Sequence, residues 1–547
     1  LIARIRAAQY TLAVLLRILI AAAFALVLGV PFLLRPSSAG DSGKAAARRL
    51  VIVTPHVPQI HAEFSRGFES WHRRTYGEGV TIDWRLPGGT SEILKQLEAQ
   101  FTAAARAGAF DFSDPKNPTC KSGTIGYDLM FGGGSFDHTR LKTGIKVKVS
   151  TARAPGAKVD EGKTEVDVSI PMSVPAGFSK DQLDAWYGEN VLGAGYLYEP
   201  EQYWMGAALS SFGIVYNKDV YRRLGMEAPE SFEDLCDTRL AGWVALADPR
   251  QSGSVATTFE AILAYYGWEK GWRVLREMSA NTRYFTNSSP KPPIDISAGE
   301  AAAGLAIDFY GRGQSQAVLL PGQDASESRV GYVDPKGAVY MDADPVSVLR
   351  GGPDPQLARR FVEYCLTEEG QAIWQFHAIR SGAGGGNPKI AGTDELMGPL
   401  THELRRLPAR RVMYEKYLDH FIDPVDPFTL ASKTKPNKDW RPLIGVMMGA
   451  FGIDTAHDQR AAWRALQSAR GNKAFPSERL AEMERLFYAW PETKGEGGPL
   501  AFVPENAKAI RDCWRKRGQD LVVIEYTTFF RENYRRVVAL KDATGGS

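Results

Sequence analysis

Short apolar runs alternate along the chain with longer stretches in which apolar residues recur every three or four positions. Leu50-Val-Ile-Val53 reads as a buried strand, and the next apolar residues, Ile60, Phe64, Phe68 and Trp71, share one face of a helix. Residues 80–84 predict a second strand, and Gly88-Gly-Thr-Ser-Glu92 opens a helix carrying Ile93, Leu97 and Phe101. Residues 127–131 predict a third strand, ending in Gly132-Gly-Gly-Ser135. Strands alternating with helices predict an α/β fold with a largely parallel sheet and ligands at the carboxyl ends of its strands. The rhythm breaks twice, near 107–126, rich in Pro, Lys, Ser and Gly, and near 142–175, where β-branched and charged residues alternate around an Ala-Pro-Gly turn. Both read as insertions, the second as a β-hairpin.

Further along, Val339-Tyr-Met-Asp-Ala-Asp-Pro-Val-Ser-Val-Leu349 is an apolar run interrupted by Pro345, the mark of an edge or crossing strand. Gly351, Gly352, Pro353 and Pro355 make a turn. Leu357, Phe361, Tyr364 and Cys365 then line one face of a helix. Residues 477–487 and 505–516 predict two more helices in a C-terminal extension, 441–547, read as packing on a lobe or, alternatively, as a docking surface for a membrane partner.

The N-terminus adds a different pattern. Arg4, Arg6 and Arg17 precede an apolar run over residues 18–34, which as a helix would reach about 25 Å, just short of a bilayer core. Basic residues ahead of the run keep the N-terminus cytoplasmic and export the remainder of the chain. Residues 1–35 therefore read either as an uncleaved anchor, a membrane contact in its own right, or as a signal peptide cleaved near Ser37-Ser38-Ala39. Residues 36–49 are a small, polar, basic linker. The chain has 547 residues, enough for two or three domains, and a net charge of +3, too mild for a nucleic-acid partner. Its four cysteines, Cys120, Cys236, Cys365 and Cys513, stand far apart, so export permits disulfides while no zinc or thioredoxin-type spacing exists.

Four passages carry a resemblance. Trp204-Met-Gly-Ala-Ala-Leu-Ser-Ser-Phe-Gly-Ile-Val-Tyr-Asn217, Leu246-Ala-Asp-Pro-Arg-Gln-Ser-Gly-Ser254, the run 296–310 and the run 339–374 occur in the order found in bacterial extracellular solute-binding proteins of ABC importers. The chain is similar to the iron, thiamine and sugar-phosphate branch of the type II periplasmic-binding fold. That resemblance implies two lobes around a cleft: lobe one from 50–205 with 336–440, and lobe two from 206–335. It also implies a monomer that captures a small solute, works with an ABC permease and its ATPase outside the cytoplasm, and holds no cofactor.

Three strand-to-helix loops rich in glycine and hydroxyls are the candidate ligand contacts: Gly89, Thr90 and Ser91; Gly133, Gly134 and Ser135; Ser252, Gly253 and Ser254. Free N–H groups and a partial positive charge at a helix N-terminus suit phosphate or carboxylate. Ser210 and Ser211 at the first crossing, Asn287 with Ser288 and Ser289, and Asp308 and Asp344 are further polar candidates. The ferric members of the family imply two adjacent tyrosines and a histidine. Here the pair is Phe309-Tyr310, leaving Tyr310 and His56 as metal candidates and Fe³⁺ with a synergistic anion as an alternative cargo to an organic or phosphorylated anion. His61 reads as solvent-facing. A thiamine-like cation would need aromatic walls from Trp204, Tyr216, Phe309 and Tyr340. Asp344 is also a candidate cap for the turn at Pro345. Asp342 and Asp344, at alternate strand positions, read as a solvent-facing pair, or as the acids of an exported hydrolase. A membrane-anchored receptor of the same fold is the other rival function. No Gly-x-Ser-x-Gly, His-Glu-x-x-His or Walker loop supports an enzyme.

Overall fold

The computed structural model describes residues 48–543, apart from 159–161, 321–322, 324–326, 336, 438 and the side chain of Ser254. The predicted N-terminal helix and most of the linker lie outside these residues. Among the described residues no helix is long and apolar enough to cross a membrane.

One mixed sheet organises the chain. Its strands run in the order Thr282–Thr286, Val244–Ala247, Ala303–Ile307, Met205–Asn217, Met341–Leu349, Leu129–Phe131, Arg48–Val53, Val80–Arg85. The two ends are parallel, as the αβ rhythm predicts. The centre is not, because the two crossing strands run antiparallel to each other and to their outer neighbours. The long strand Met205–Asn217, buried throughout, changes partners midway: Met205 to Ser211 pair with the return strand Met341–Leu349, whereas Phe212 to Tyr216 pair with Ala303–Ile307. The join between the two halves of the sheet therefore falls at Ser211 and Phe212. Pro345 sits where the ladder of the return strand slips register, which spares an N–H it does not have.

Each half has its own core. In the first, the helix Pro58–Tyr76 lays Phe64, Phe68 and Trp71 against Phe131, Phe361 and Trp374. On the opposite face of that half, the helix Thr90–Arg106 packs Ile93, Leu97 and Phe101 over Val53 and Met130. Both stretches that break the rhythm are antiparallel ribbons, Phe110–Asp111 with Thr119–Cys120 and Ile145–Ser150 with Glu165–Ile170. In the second half, Phe259, Trp272 and Leu275 share one core with Leu443, Phe451, Trp463, Phe487 and Tyr534 of the C-terminal extension. Arg276 is buried there, its guanidinium 3.8 Å from the Trp490 ring centre and donating to the carbonyls of Phe487 and Ala489. All four cysteines are free thiols.

Candidate functional site

A cleft of about 610 Å³ opens between the two halves of the sheet. It is built where three helices begin. Thr90–Arg106 follows Gly89, Ser135–Thr143 follows Gly134, and Gly253–Tyr266 follows Ser252. The first two belong to the first half and the third to the second. Glycine is required where the loops crowd: Gly132 and Gly133 hold φ of 93° and 112°, and a Cβ there would lie 2.3 Å from the His56 ring and 2.7 Å from the Thr90 methyl. His138, buried and neutral with its pKa lowered by burial to about 4, ties this loop to the return strand, with Nε2 3.1 Å from the Gly132 carbonyl and Nδ1 2.7 Å from Ser347 Oγ. Across the cleft, Ser252 Oγ accepts from Val255 N–H at 3.4 Å and pairs with Ser289 Oγ at 2.5 Å.

Of the residues singled out in the sequence, His56, Gly89, Thr90, Gly133, Gly134, Ser210, Ser252, Gly253, Asn287, Tyr310 and Asp344 line this cleft. Others do not. Ser91 lies outside the lining, and Ser135 turns its N–H to Asp342 Oδ2 at 3.1 Å. Ser211 is directed away, donating to Asp334 Oδ1 at 2.8 Å. Asp308 is buried off the cleft, where burial raises its carboxyl to about 7.

Charge is distributed unevenly around the walls. Arg406, buried, donates from one terminal nitrogen to His56 Nε2 at 3.0 Å and to Asp344, and its guanidinium lies 3.8 Å from the centre of the Phe309 ring. Burial alone would raise the Asp344 carboxyl, but the charge of Arg406 outweighs it and holds the group below its ordinary range. Burial lowers His56 as well, so its ring stays neutral. Asp344 therefore caps no turn. At the opposite end no guanidinium is hydrogen-bonded to Asp342 or Asp137: burial raises both, Asp342 to about 6, with Asp137 adding to the effect, and the charge of Arg441 pulls both down without overcoming burial. The expected solvent-facing Asp342–Asp344 pair is thus a pair of buried groups.

The aromatic cage is not assembled. Trp204 is buried in the first core with Nε1 on Thr139, and Tyr216 packs in the second core against Tyr221. Neither these nor Tyr340 lines the cleft; Phe309 does, with Arg406 already stacked on it. His61 is stacked on Trp84 at 4.6 Å, and burial lowers it to about 4, so it is not a solvent-facing side chain. No group of three or more His, Cys, Asp or Glu suited to a metal ion occurs among the described residues. His56 already directs Nε2 to an arginine N–H, and burial raises the Tyr310 phenol, both unfavourable for holding Fe³⁺.

Sequence reasoning missed Arg406, Asp137, Gln251, Thr257 and Phe212. Asp137 had a signal, an acid in the first turn of a glycine-opened helix. Arg406 had none, since it stands among arginines and leucines with no motif.

Residues 183–384 match the family model described as bacterial extracellular solute-binding protein. The matched stretch is a bacterial extracellular solute-binding domain. It contains both crossing strands and the second-half loops of the cleft. An uncharacterized protein of Haemophilus influenzae is 28% identical over 165 residues, which is 30% of this chain and 44% of that protein. The phosphoglycerate transport regulatory protein PgtC of Salmonella typhimurium is 23% identical over 295 residues, 52% of this chain and 70% of that protein. Among solved structures, this chain is similar to the periplasmic binding protein AfuA of Actinobacillus pleuropneumoniae with fructose-6-phosphate bound, at 16% identity and TM-score 0.41, covering 60% of this chain and 82% of that one. It is also similar to iron-bound HitA of Pseudomonas aeruginosa, at 15% identity and TM-score 0.40, covering 59% and 82%.

Proposed function

We propose that this protein is the solute-capturing component of an ABC importer, a two-lobed binding protein of the type II periplasmic class that takes up a small phosphorylated or carboxylate anion outside the cytoplasm and delivers it to a permease and its ATPase. The observation that carries this reading is the convergence of three helix N-termini, two from one half of the sheet and one from the other, on a single cleft. An anion there is met by backbone N–H groups from both halves, which gives the solute a larger contact area in a closed form than in an open one and so biases a hinge toward closure. The domain boundaries read from the sequence are the lobes of this proposal, with the hinge at Ser211 and Phe212 and again between Val333 and Met341.

A receptor that reports occupancy instead of delivering solute is a second reading, favoured by the regulatory name of the Salmonella relative. Both readings share the ligand class. A thermal-shift panel tests it: 3-phosphoglycerate, hexose phosphates and inorganic phosphate on one side, Fe³⁺ with and without citrate and thiamine on the other. A ligand at 100 times its Kd stabilises by about 2.7 kcal/mol, a shift that is readily measured. The expected result is stabilisation by at least one phosphorylated anion, retained in Tyr310→Phe. Stabilisation by Fe³⁺ alone that Tyr310→Phe abolishes would replace the anion with the metal.

A further inference from the structure

The C-terminal extension begins at the rim of the cleft. Its first helix, Arg441–Met448, is anchored by Leu443 and Ile444 in the second core, and the preceding Trp440 packs edge-on to Trp268 at 5.2 Å. Arg441 reaches forward from this anchor. It donates to Glu260 Oε2 at 2.6 Å, to Thr257 Oγ1 at 2.9 Å and to the Gly253 carbonyl at 3.3 Å, all on the helix whose N-terminus faces the cleft. The same guanidinium lies 4.3 Å from the ring centre of Phe136, which belongs to the helix Ser135–Thr143 on the other side of the cleft. Glu260, Thr257 and Gly253 fix its orientation, so the cation is held ready for the ring.

A second contact shows that the extension is fitted to the cleft loop and not merely laid on the core. Arg250, two residues before Ser252, is gripped by Asp248 and by Asp454 of the extension. Gly445 and Gly449, one turn apart, leave room for its side chain; a Cβ on Gly449 would lie 2.9 Å from Nη1. Phe136 meanwhile is 46% exposed, a large apolar ring at the surface whose cationic partner comes from the opposite half.

We propose that the C-terminal extension latches the two halves of the protein together, with Arg441 as the bolt and the Phe136 ring as its seat. The inference rests on the two-lobed hinge reading and deepens it: closure is set by this contact as well as by the solute. A cation on an aromatic face at a partly exposed site changes an equilibrium about two- to five-fold.

Small-angle X-ray scattering of the solute-free protein, full chain, tests the latch without any ligand, so failure of the anion assignment leaves this test untouched. Phe136→Ala and Arg441→Met, the latter keeping the apolar stem, are expected to lower the closed-to-open ratio about two- to five-fold. The radius of gyration rises accordingly, and Phe136→Trp returns it to the wild-type value. Because Phe136 is so exposed, its loss removes little core, and an unchanged thermal midpoint excludes unfolding as the cause. Scattering from Phe136→Ala identical to wild type overturns the latch, as does a shift in Arg441→Met that Phe136→Ala does not share.

Discussion

The two ends of the cleft hold acids two residues apart on one strand, and the ends behave oppositely. At the Asp344 end the buried guanidinium of Arg406 balances the carboxylate and keeps it ionised. At the Asp342 end burial dominates, the Ser135 N–H and the more distant charge of Arg441 offset only part of it, a second acid, Asp137, adds to it, and the carboxyl takes up a proton near pH 6. Burial is equal at both; the partner differs. Buried acids in a cleft are therefore no guide to its charge until each has been assigned its cation.

Removing that partner is the severest way to break the contrast. Arg406→Leu leaves Asp344 buried with no cation beside it except what the His56 ring can supply by taking up a proton, and is expected to cost about 3–5 kcal/mol in urea unfolding at neutral pH. The double change Arg406→Leu with Asp344→Leu should restore much of it. A single variant within experimental error of wild type would mean that the two ends are alike.

The next effect is a pH dependence of opposite sign at the two carboxyls. Asp342 titrates higher folded than unfolded, about 6 against 3.8, so the folded state holds the extra proton between those values. It becomes a liability as pH rises from about 4 to 6, reaching up to about 3 kcal/mol above that. Asp344, held low, contributes stability that is present above 3.8 and lost as pH falls through its folded value. Asp342→Asn should flatten the fall in stability between pH 4 and 7; an unaltered profile would assign the titration elsewhere.

Binding sharpens the same point more gently. An anion beside Asp342 prefers the protonated carboxyl, so affinity for a non-titrating anion such as a sugar sulfate should weaken above about pH 6, approaching tenfold per pH unit. Isothermal titration across pH 5 to 8 reads the slope, which Asp342→Asn should abolish. Smallest is Ser252→Ala, which removes the cap of the second-half helix and the link to Ser289, at about 1 kcal/mol.

Much of this was legible in the chain. The apolar periodicity of Ile60 to Trp71 and of Leu357 to Cys365, the glycine-opened helices and the crossing strands with their Pro345 all stand where local pattern places them, because each is a local rule. Strand direction at the centre of the sheet was not legible. The reversal arises from pairing between residues 205–217 and 341–349, which no local pattern encodes. The same holds for the site. Gly89, Gly133 and Ser252 announce themselves as turn and cap chemistry, whereas Arg406 lies 62 residues from Asp344 and 350 from His56. Its role exists only in the folded chain. His61 was misread for a related reason, as was the exposure, though not the place at the cleft, of Asp342: a polar letter in an amphipathic stretch says nothing of the ring or backbone that will cover it.

The sheet's connectivity has a consequence for the order in which the molecule matures. The first half is assembled from two separate tracts, and its stitches are long: Arg48 pairs with Asp354, and the Glu63 carboxylate accepts the N–H groups of Leu400, Thr401 and His402. A ribosome or translocation channel that delivers the chain from its N-terminus presents Glu63 long before its partners. The half that begins first is thus obliged to finish late, and until residue 402 emerges that acid, buried in the finished protein, still faces water. Vectorial delivery makes these three N–H groups a checkpoint, and variants at Glu63 should slow maturation in the cell more than their equilibrium stability indicates.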